Sequence, residues 1–294
     1  MLSTGLGTGV KTYWEVTKPK IWYLLVFTAM MAALTASNVH GVAVEPLTWV
    51  LLLISVTAGS AAANTLTNYI DRDIDAKMDR TKERPIPSGR ISPENALQYG
   101  LILAGVSLVL AYMINIYALG LMAFGLFDNV LVYSKWLKRR STSNIILGGF
   151  SGGAPALIGY VAVTTSTIEL GLVMAGLVFL WIPTHIWSLA LHIREDYAKA
   201  NVPMLPVVKG ESVSIRVIAG TTLMMVLFSI LPVIWGMFGM FYLLMAGILG
   251  AIITVMSIAL LVRPTENKSW TLFKFSSPYL ALLFIGMVVD SAVF

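Results

Sequence analysis

A membrane-spanning architecture is indicated most clearly by residues 48–75, TWVLLLISVTAGSAAANTLTNYIDRDID. The stretch Thr48–Ile70 contains no charged side chain, and the five residues after it contain three aspartates. A helix needs about 20 mostly apolar residues to cross a bilayer, where it must satisfy its own backbone hydrogen bonds. The sequence therefore predicts a transmembrane helix that ends in a group of carboxylates at the membrane surface.

The composition of the 294-residue chain indicates the same fold class. Hydrophobic residues make up 57% of it and charged residues 12%, and the mean hydropathy is +0.80. A soluble domain of this size needs more polar surface, so a soluble enzyme, a disordered chain and a fibrous repeat are excluded. The chain has no cysteine, which excludes disulfides, thiolate metal sites, iron–sulfur clusters and cysteine nucleophiles. The net charge of +5 is better explained by loops beside a bilayer than by nucleic acid, and we expect no nucleic-acid partner.

Nine stretches are long and apolar enough to span a membrane. They are Ile21–Ser37, Thr48–Ile70, Ala96–Ile116, Ala118–Ser134, Asn144–Thr164, Glu169–His192, Val213–Trp235, Phe241–Val262 and Leu272–Val293. They lack the strict alternation of barrel strands, so we predict an all-α polytopic protein with a single membrane domain, residues 1–294. A signal peptide is the alternative for the first stretch, but the eight spans after it favour a start-transfer helix.

The basic residues indicate the orientation. With nine spans, all 20 Lys and Arg residues fall in or beside loops on one side of the membrane. The positive-inside rule then places the N-terminus in the cytoplasm and the C-terminus outside. The inner loops also contain acidic residues, which orientation does not require, so these acids are candidates for function.

The first acidic cluster lies at the inner end of the second span. At 100° per residue, Asn64, Asn68, Asp71 and Asp75 fall within about 60° of one another. Asp79 joins this face if the helix continues. Carboxylates stacked at this spacing repel one another and are unfavourable in a low-dielectric setting, so we expect cations beside them.

Two interpretations of this cluster stay open. In the first, the acids pair locally in a solvated loop with Arg72, Lys77, Arg80 and Arg84. In the second, Asp71 and Asp75 hold Mg²⁺, while Asp73 points the opposite way. The nearby cations would then bind the phosphate oxygens of a metal–diphosphate substrate; they are Lys77, Arg80, Lys82 and Arg84.

A second cluster follows the sixth span. His185, His192, Asp196 and Lys199 share one helical face, and Glu195 flanks it. Two inner helix ends that both carry carboxylates can hold one metal–diphosphate between them. The two histidines are candidates either for hydrogen-bonded structural roles or for ligands.

The first cluster resembles the aspartate-rich loop of the UbiA superfamily of intramembrane prenyltransferases. Residues 71–90, DRDIDAKMDRTKERPIPSGR, match its Asp-x3-Asp and Arg-x3-Arg-Pro pattern, although Thr67 stands where the superfamily has Asn. The second cluster departs as well, with adjacent acids in place of Asp-x3-Asp. The resemblance implies nine helices around a central cavity, Mg²⁺ as cofactor, and Asp71, Asp75 and Asp196 as its ligands.

Other motifs resemble the branch of this superfamily that farnesylates haem. They are TKPK at residues 17–20, YSKWLKRR at 133–140, NIILGG at 144–149, WIPTHIWSLALH at 181–192 and VPMLP at 202–206. This resemblance implies transfer of a farnesyl group from farnesyl diphosphate to a vinyl group of haem b, giving haem O and pyrophosphate. It also implies contact with haem A synthase or with terminal oxidase assembly.

The resemblance assigns further roles as expectations. Glu195 or Asp196 is expected to lie opposite Asp71 and Asp75. The side chains expected to neutralise the charge of the leaving group are Arg80, Arg84, Lys138 and Lys199. The aromatic side chains of Tyr133, Trp181 and Trp187 line the cavity and shelter an allylic cation. Either His185 or His192 ligates or orients the haem, whereas His40 lies in an outer loop and has no assigned role.

Alternatives of other kinds are weaker. Asp128, inside the fourth span, either faces the cavity or is a protonated packing residue. A secondary transporter would place its polar residues near the midplane of repeated halves, whereas here they lie at one interface. Within the superfamily, the alternative is transfer to another acceptor, such as a quinone-precursor aromatic acid. With no Arg- and Ser-rich transit segment, we expect a bacterial-type cell membrane and an active site that faces the cytoplasm.

Overall fold

The computed structural model describes residues 6–293, with side chains from residue 9 onward. Within that range the chain forms helices and no strand. The helices are α1 (Leu6–Val16), α2 (Pro19–His40), α3 (Pro46–Ile70), α4 (Arg72–Asp75), α5 (Pro93–Ile114), α6 (Ile116–Phe127), α7 (Asn144–Leu147), α8 (Phe150–Val161), α9 (Glu169–His192), α10 (Arg194–Lys199), α11 (Leu205–Val208), α12 (Glu211–Ile234), α13 (Met240–Val262) and α14 (Glu266–Val293). Residues Asp128–Leu137 continue α6 as a π-helix.

Nine segments of the described chain are long and apolar enough to cross a membrane. They are α2, α3, α5, α6 with its π-helical continuation, α7 with α8, α9, α12, α13 and α14. The predicted all-helical, nine-span fold is confirmed, and the protein is a multi-pass membrane protein. The short helix α1, which precedes the first span, was not predicted.

Several predicted boundaries are wrong for local reasons. The third span ends at Ile114, because Asn115 is extended and its side chain caps α6 by accepting a hydrogen bond from the Ala118 amide at 2.8 Å. The fourth span runs past Ser134 to Leu137.

The fifth and ninth spans also differ from the prediction. The fifth is two helices separated at Gly148 and Gly149, and it ends at Val161 instead of Thr164. The ninth begins at Glu266, six residues before Leu272, because its first turns carry the polar side chains of the inner loop. Packing requires a glycine at the break, since a Cβ at Gly148 would lie 2.6 Å from the Tyr133 side chain.

The spans form two neighbouring groups. In the first, α2, α3, α6 and α8 surround a central space, with α5 packed on the outside of α3 and α6. In the second, α9, α12, α13 and α14 pack around the largest hydrophobic core. The groups join where α8 packs on α9 and α2 packs on α14. Helices α2 and α8 can approach closely because Gly159 has no Cβ. A Cβ at this position would overlap the Ala29 carbonyl.

Polar contacts hold the outer ends of the helices. Asp290 of α14 is buried and accepts hydrogen bonds from the Gly239 and Tyr242 amides at 2.6 and 2.9 Å, which caps the start of α13. His40 was predicted to lie in an outer loop, but it is the last residue of α2. Its ring forms a hydrogen bond with the Tyr160 hydroxyl at 2.9 Å. Its role is to join α2 to α8.

Candidate active site

The inner end of α3 carries three buried polar side chains on one face. Asn68, Asp71 and Asp75 are only 3%, 2% and 3% exposed. Hydrogen bonds from the Asp71 amide to Thr67 and from the Asp75 amide to Asp71 keep the helical register through the junction of α3 and α4. Two carboxylates with so little water require cationic partners.

Two cations from other parts of the chain supply these partners. Lys138, just after the π-helix, donates to Asp71 at 2.5 Å. Arg84 donates to both carboxylate oxygens of Asp75 at 2.9 and 2.8 Å. Burial alone would lower the pKa of Lys138, but the Asp71 carboxylate outweighs it and holds that pKa above its ordinary range. The pairing of Asp75 with Arg84 agrees with the first interpretation, but both acids lie in buried ion pairs and not in a solvated loop.

The exposed acids of this region form separate pairs. Asp73 points away from Asp71, as predicted, and accepts from Arg139 at 2.7 and 2.6 Å. That hydrogen bond lowers the pKa of Asp73 to about 2. Asp79 was expected to join the buried face if the helix continued, which is wrong because α4 ends at Asp75. Asp79 is exposed and pairs with Lys82 and Lys199.

The ends of α3 and α10 meet through the loop that follows α4. Asp196 accepts a hydrogen bond from the Arg80 amide at 3.2 Å, and Lys199 donates to Asp79 at 2.7 Å. Glu195 is exposed and lines a cleft together with Asp196, Glu211 and Glu266. Lys77 and Arg80, predicted to bind phosphate, have exposed side chains on the connecting loop.

The buried face has the character of a cation site. The side-chain oxygens Oδ1 of Asn68 and Oδ1 of Asp71 are both buried and accept no hydrogen bond. The Asn68 amide nitrogen donates to the Val16 carbonyl at 2.7 Å, which leaves its side-chain oxygen as the free group. An all-oxygen set suits Mg²⁺, which usually takes only one or two protein carboxylates and keeps waters or phosphate oxygens.

The predicted ligands Asp71, Asp75 and Asp196 do not form one cluster. Between residues 6 and 293, no three Asp, Glu or His side chains are close enough to hold an ion together. The residues present therefore fit a metal held from the α3 end, with the remaining positions left to waters and substrate oxygens.

Lys18 is a site residue that the sequence analysis did not assign. It lies between α1 and α2 with φ 53°, a left-handed conformation that is unfavourable for lysine and is also disfavoured before a proline. Its charge interacts with Asp71, Asp75, Arg84 and Lys138. Burial first, and then the Arg84 guanidinium, lower the pKa of Lys18 to about 7. Its only sequence signal is its position in TKPK, between two helices.

The two predicted histidines lie in a series of stacked rings between α9 and α14. His185 stacks on Trp181 and packs against Phe273, with ring centroids 4.3 and 4.4 Å apart, and its Nδ1 lies 2.7 Å from the Ser276 hydroxyl. His192 stacks on Trp270 at 4.8 Å. The Nδ1 atom of His192 is buried without a hydrogen-bond partner, and the residue lines the cleft beside Glu195.

A pocket occupies the space inside the first helix group. Its lining is mostly aliphatic, with Asn64, Asn129 and Ser151 as polar side chains. Tyr133, Trp181 and Trp187, which were expected to line the substrate cavity, are not among the residues that line this pocket. Both tryptophans are buried in the core around α9, and Tyr133 lies beside Lys138, 5.8 Å from its Nζ to the ring centroid.

Asp128 also has a structural partner. It is buried and accepts a hydrogen bond at 2.9 Å from the Ser151 amide, in the first turn of α8. The carboxylate therefore satisfies an amide that the helix itself leaves free.

The chain is similar to known prenyltransferases in sequence. Residues 24–283 match the model of the UbiA prenyltransferase family. A protein named protoheme IX farnesyltransferase 2, from Cenarchaeum symbiosum (strain A), is 54% identical over 299 residues, which cover 97% of this chain and 96% of that protein.

Solved structures show the same fold. A structure of digeranylgeranylglyceryl phosphate synthase matches with a TM-score of 0.80 and 24% identity, over 97% of this chain and 99% of that one. A UbiA homologue from Archaeoglobus fulgidus bound to DMAPP and Mg²⁺ matches with a TM-score of 0.66 and 16% identity, over 95% and 99% of the two chains.

Proposed function

Because the chain belongs to the UbiA prenyltransferase family and is a prenyl-transferring enzyme, we propose that it transfers farnesyl from farnesyl diphosphate to a vinyl group of haem b. The products are haem O and pyrophosphate. The observation that carries the proposal is a pair of buried, cation-paired aspartates that follow, along the same helix face, the stretch of α3 that lines an apolar pocket. The name of the relative that is 54% identical supports the choice of donor and acceptor.

The diphosphate binds at the inner end of α3. Asp71 and Asp75, with the Asn68 oxygen, would hold Mg²⁺ from the α3 end, and Asp196 of α10, which now accepts from the Arg80 amide, would contribute through waters or substrate oxygens. The metal supplies positive charge that stabilises the diphosphate as a leaving group. The Mg²⁺ bound in the Archaeoglobus fulgidus structure supports this assignment.

Cations around the site stabilise the charge that develops on the leaving group. Lys138, Arg84 and Lys18 surround the two aspartates and need only local side-chain motion to reach a bound diphosphate. Lys77, Arg80 and Lys199 lie on the exposed rim and attract the anionic substrate. Glu195 lines the same cleft as Asp196 but has no hydrogen bond to the loop that follows α4, so it takes part less directly.

The farnesyl chain lies in the pocket between α2, α3, α6 and α8. Asn64 lines its inner part. It lies on the same face of α3 as Asn68 and Asp71, one helical turn before Asn68. When the C–O bond breaks, the electron pair leaves with pyrophosphate, and the apolar walls keep water from the allylic cation. A haem vinyl carbon then forms the new C–C bond, and water adds to the remaining cation to give a hydroxyethylfarnesyl group.

The acceptor is oriented by the histidine end of α9. His192 is the better candidate because its Nδ1 lacks a partner, whereas Ser276 and two rings occupy His185. Tyr133 stands beside Lys138, where it contacts the reacting ends of the substrates. His185 then positions α9 against α14 rather than binding haem.

The site faces the cytoplasm. The charged loops lie on one side of the spans, and the positive-inside rule assigns that side to the cytoplasm of a cell membrane. The chain acts as a single membrane domain and delivers its product to haem A synthase or to terminal oxidase assembly.

The proposal is tested with purified protein in detergent. Farnesyl diphosphate and haem b should give haem O, identified by mass and absorbance, only when Mg²⁺ is present. Replacing haem b with 4-hydroxybenzoate tests the alternative acceptor under the same conditions. Prenylation of the aromatic acid without prenylation of haem would overturn the assigned acceptor.

A further inference from the structure

The central pocket has a closed floor on the side away from the aspartates. Val56, Met122 and Ile158 line the pocket and also belong to the apolar core beneath it. They are 1%, 5% and 2% exposed, and they come from three different helices. The pocket therefore meets packed side chains at this end.

Met122 fills this floor because it faces a glycine. A Cβ at Gly59 would overlap the Met122 sulfur and lie 3.0 Å from its terminal methyl. Gly59 thus lets the methionine side chain lie against the backbone of α3. A larger residue at Gly59 would push the flexible methionine back into the pocket.

The floor lies at a depth that a prenyl chain must reach. From Asp71 to Val56, α3 rises about 22 Å at 1.5 Å per residue. The aliphatic part of the pocket along α3, from Asn64 to Val56, accounts for about 12 Å of this rise. A donor that extends further along this axis must displace the floor, because Val56, Met122 and Ile158 are packed in the core beneath it.

We propose that Met122, seated against Gly59, sets the upper limit on the isoprenoid chain length of the donor. The inference rests on the proposed function, in that the pocket holds the prenyl chain of a diphosphate donor. The limit acts through volume: shorter chains fit, and a chain with one more isoprene unit meets the methionine. The donor's length is then determined at residues far from the metal and the cations.

The experiment measures donor affinity, which does not depend on the acceptor. Geranyl, farnesyl and geranylgeranyl diphosphates are titrated with Mg²⁺ into the full-length protein in detergent, by calorimetry. In wild type, affinity should rise from geranyl to farnesyl and fall for geranylgeranyl. Met122→Ala should improve the geranylgeranyl to farnesyl affinity ratio about tenfold, since a few methylenes in an apolar pocket have effects of this size.

Gly59→Ala should act in the opposite direction. It pushes Met122 inward, so affinity for farnesyl diphosphate should fall relative to geranyl diphosphate. Met113→Ala is the matched control, since Met113 is 57% exposed on α5 and outside the pocket; it should keep the wild-type profile. If Met122→Ala does not give a monodisperse protein, Met122→Val makes the same test with a smaller loss of packing.

The outcomes separate the two claims. An unchanged chain-length profile in Met122→Ala or Met122→Val, with wild-type affinity for farnesyl diphosphate, overturns the inference and leaves the proposed function intact. Failure of wild type to bind any of the three donors overturns both. A shifted profile together with no transfer to haem supports the floor and overturns only the acceptor.

Discussion

The ends of α3 and α10 both place acids beside cations, but only the first does so away from water. Asp71 and Asp75 are buried and pair with Lys138 and Arg84. The acids across the loop, by contrast, are in contact with solvent. Asp79 and Lys199 are more than half exposed. An ion pair in water contributes little, whereas a buried one leaves an uncompensated charge when one partner is lost. The two ends should therefore respond differently to the same substitutions.

The largest difference is expected in turnover. Asp71→Asn removes a charge from the buried face and should lower prenyl transfer about a thousandfold, comparable to the loss of a strong electrostatic contact to a leaving group. Asp196→Asn, at the other end, keeps its hydrogen bond from the Arg80 amide and should lower turnover less. The measurement is kcat with saturating donor and Mg²⁺.

A double variant separates catalysis from folding in that comparison. Lys138→Met alone leaves Asp71 buried and unpaired, whereas Asp71→Asn with Lys138→Met removes both charges. The double variant should recover stability but not turnover. Recovery of turnover would mean that Asp71 serves only as the partner of Lys138.

The second difference is expected in stability. Arg84→Met strands the buried Asp75 carboxylate and should lower the free energy of unfolding by about 3–5 kcal/mol. The matched change Lys199→Met breaks an exposed pair and should have no measurable effect. Unfolding is followed by helical circular dichroism during a titration from mild detergent into SDS. Equal losses in the two variants would show that burial does not distinguish these pairs.

The smallest effect concerns pH and tests Lys18. Burial lowers its pKa to about 7, against an ordinary value of 10.5, so the free protein loses this charge above neutral pH. A bound anion favours the charged form and raises the pKa, so binding in this window takes up a proton. Affinity for Mg²⁺-pyrophosphate should then fall with rising pH, by up to about tenfold per unit between pH 7 and pH 9.

Lys18→Arg provides the control for that titration, because a guanidinium stays charged throughout the range. The variant should bind pyrophosphate with a weaker pH dependence than wild type, as measured by calorimetry in matched buffers. Identical pH profiles would show that the titration belongs to another group or to pyrophosphate itself.

Sequence reasoning could predict the parts of this molecule that depend on local pattern. Hydrophobic length gave nine spans, and helical periodicity placed Asn68, Asp71 and Asp75 on one face with Asp73 opposite. Both patterns repeat within a few residues, so no tertiary contact is needed to recognise them. The chemical roles assigned to these residues stay predictions.

Features that depend on distant contacts were not accessible in the same way. The partner of Asp71 is 67 residues away, and Lys18 enters the site through a left-handed backbone at a helix junction. The aromatic cavity was an expectation from the resemblance, yet Trp181 and Trp187 pack in the core around α9. The π-helix that precedes Lys138 changes the helical face on which the later side chains lie. A prediction that assumes 3.6 residues per turn therefore assigns these side chains to the wrong face.

The pairing of Asp71 with Lys138 also constrains how the protein is built. When α3 enters the membrane during synthesis, its partner has not yet been made, and α5 and α6 must follow before Lys138 is translated. Until then Asp71 can keep its charge only where water reaches it, at the surface of the bilayer. The inner end of α3 must therefore stay hydrated until Lys138 has been made. Burial of Asp71 is then a late step in the assembly of the first five spans.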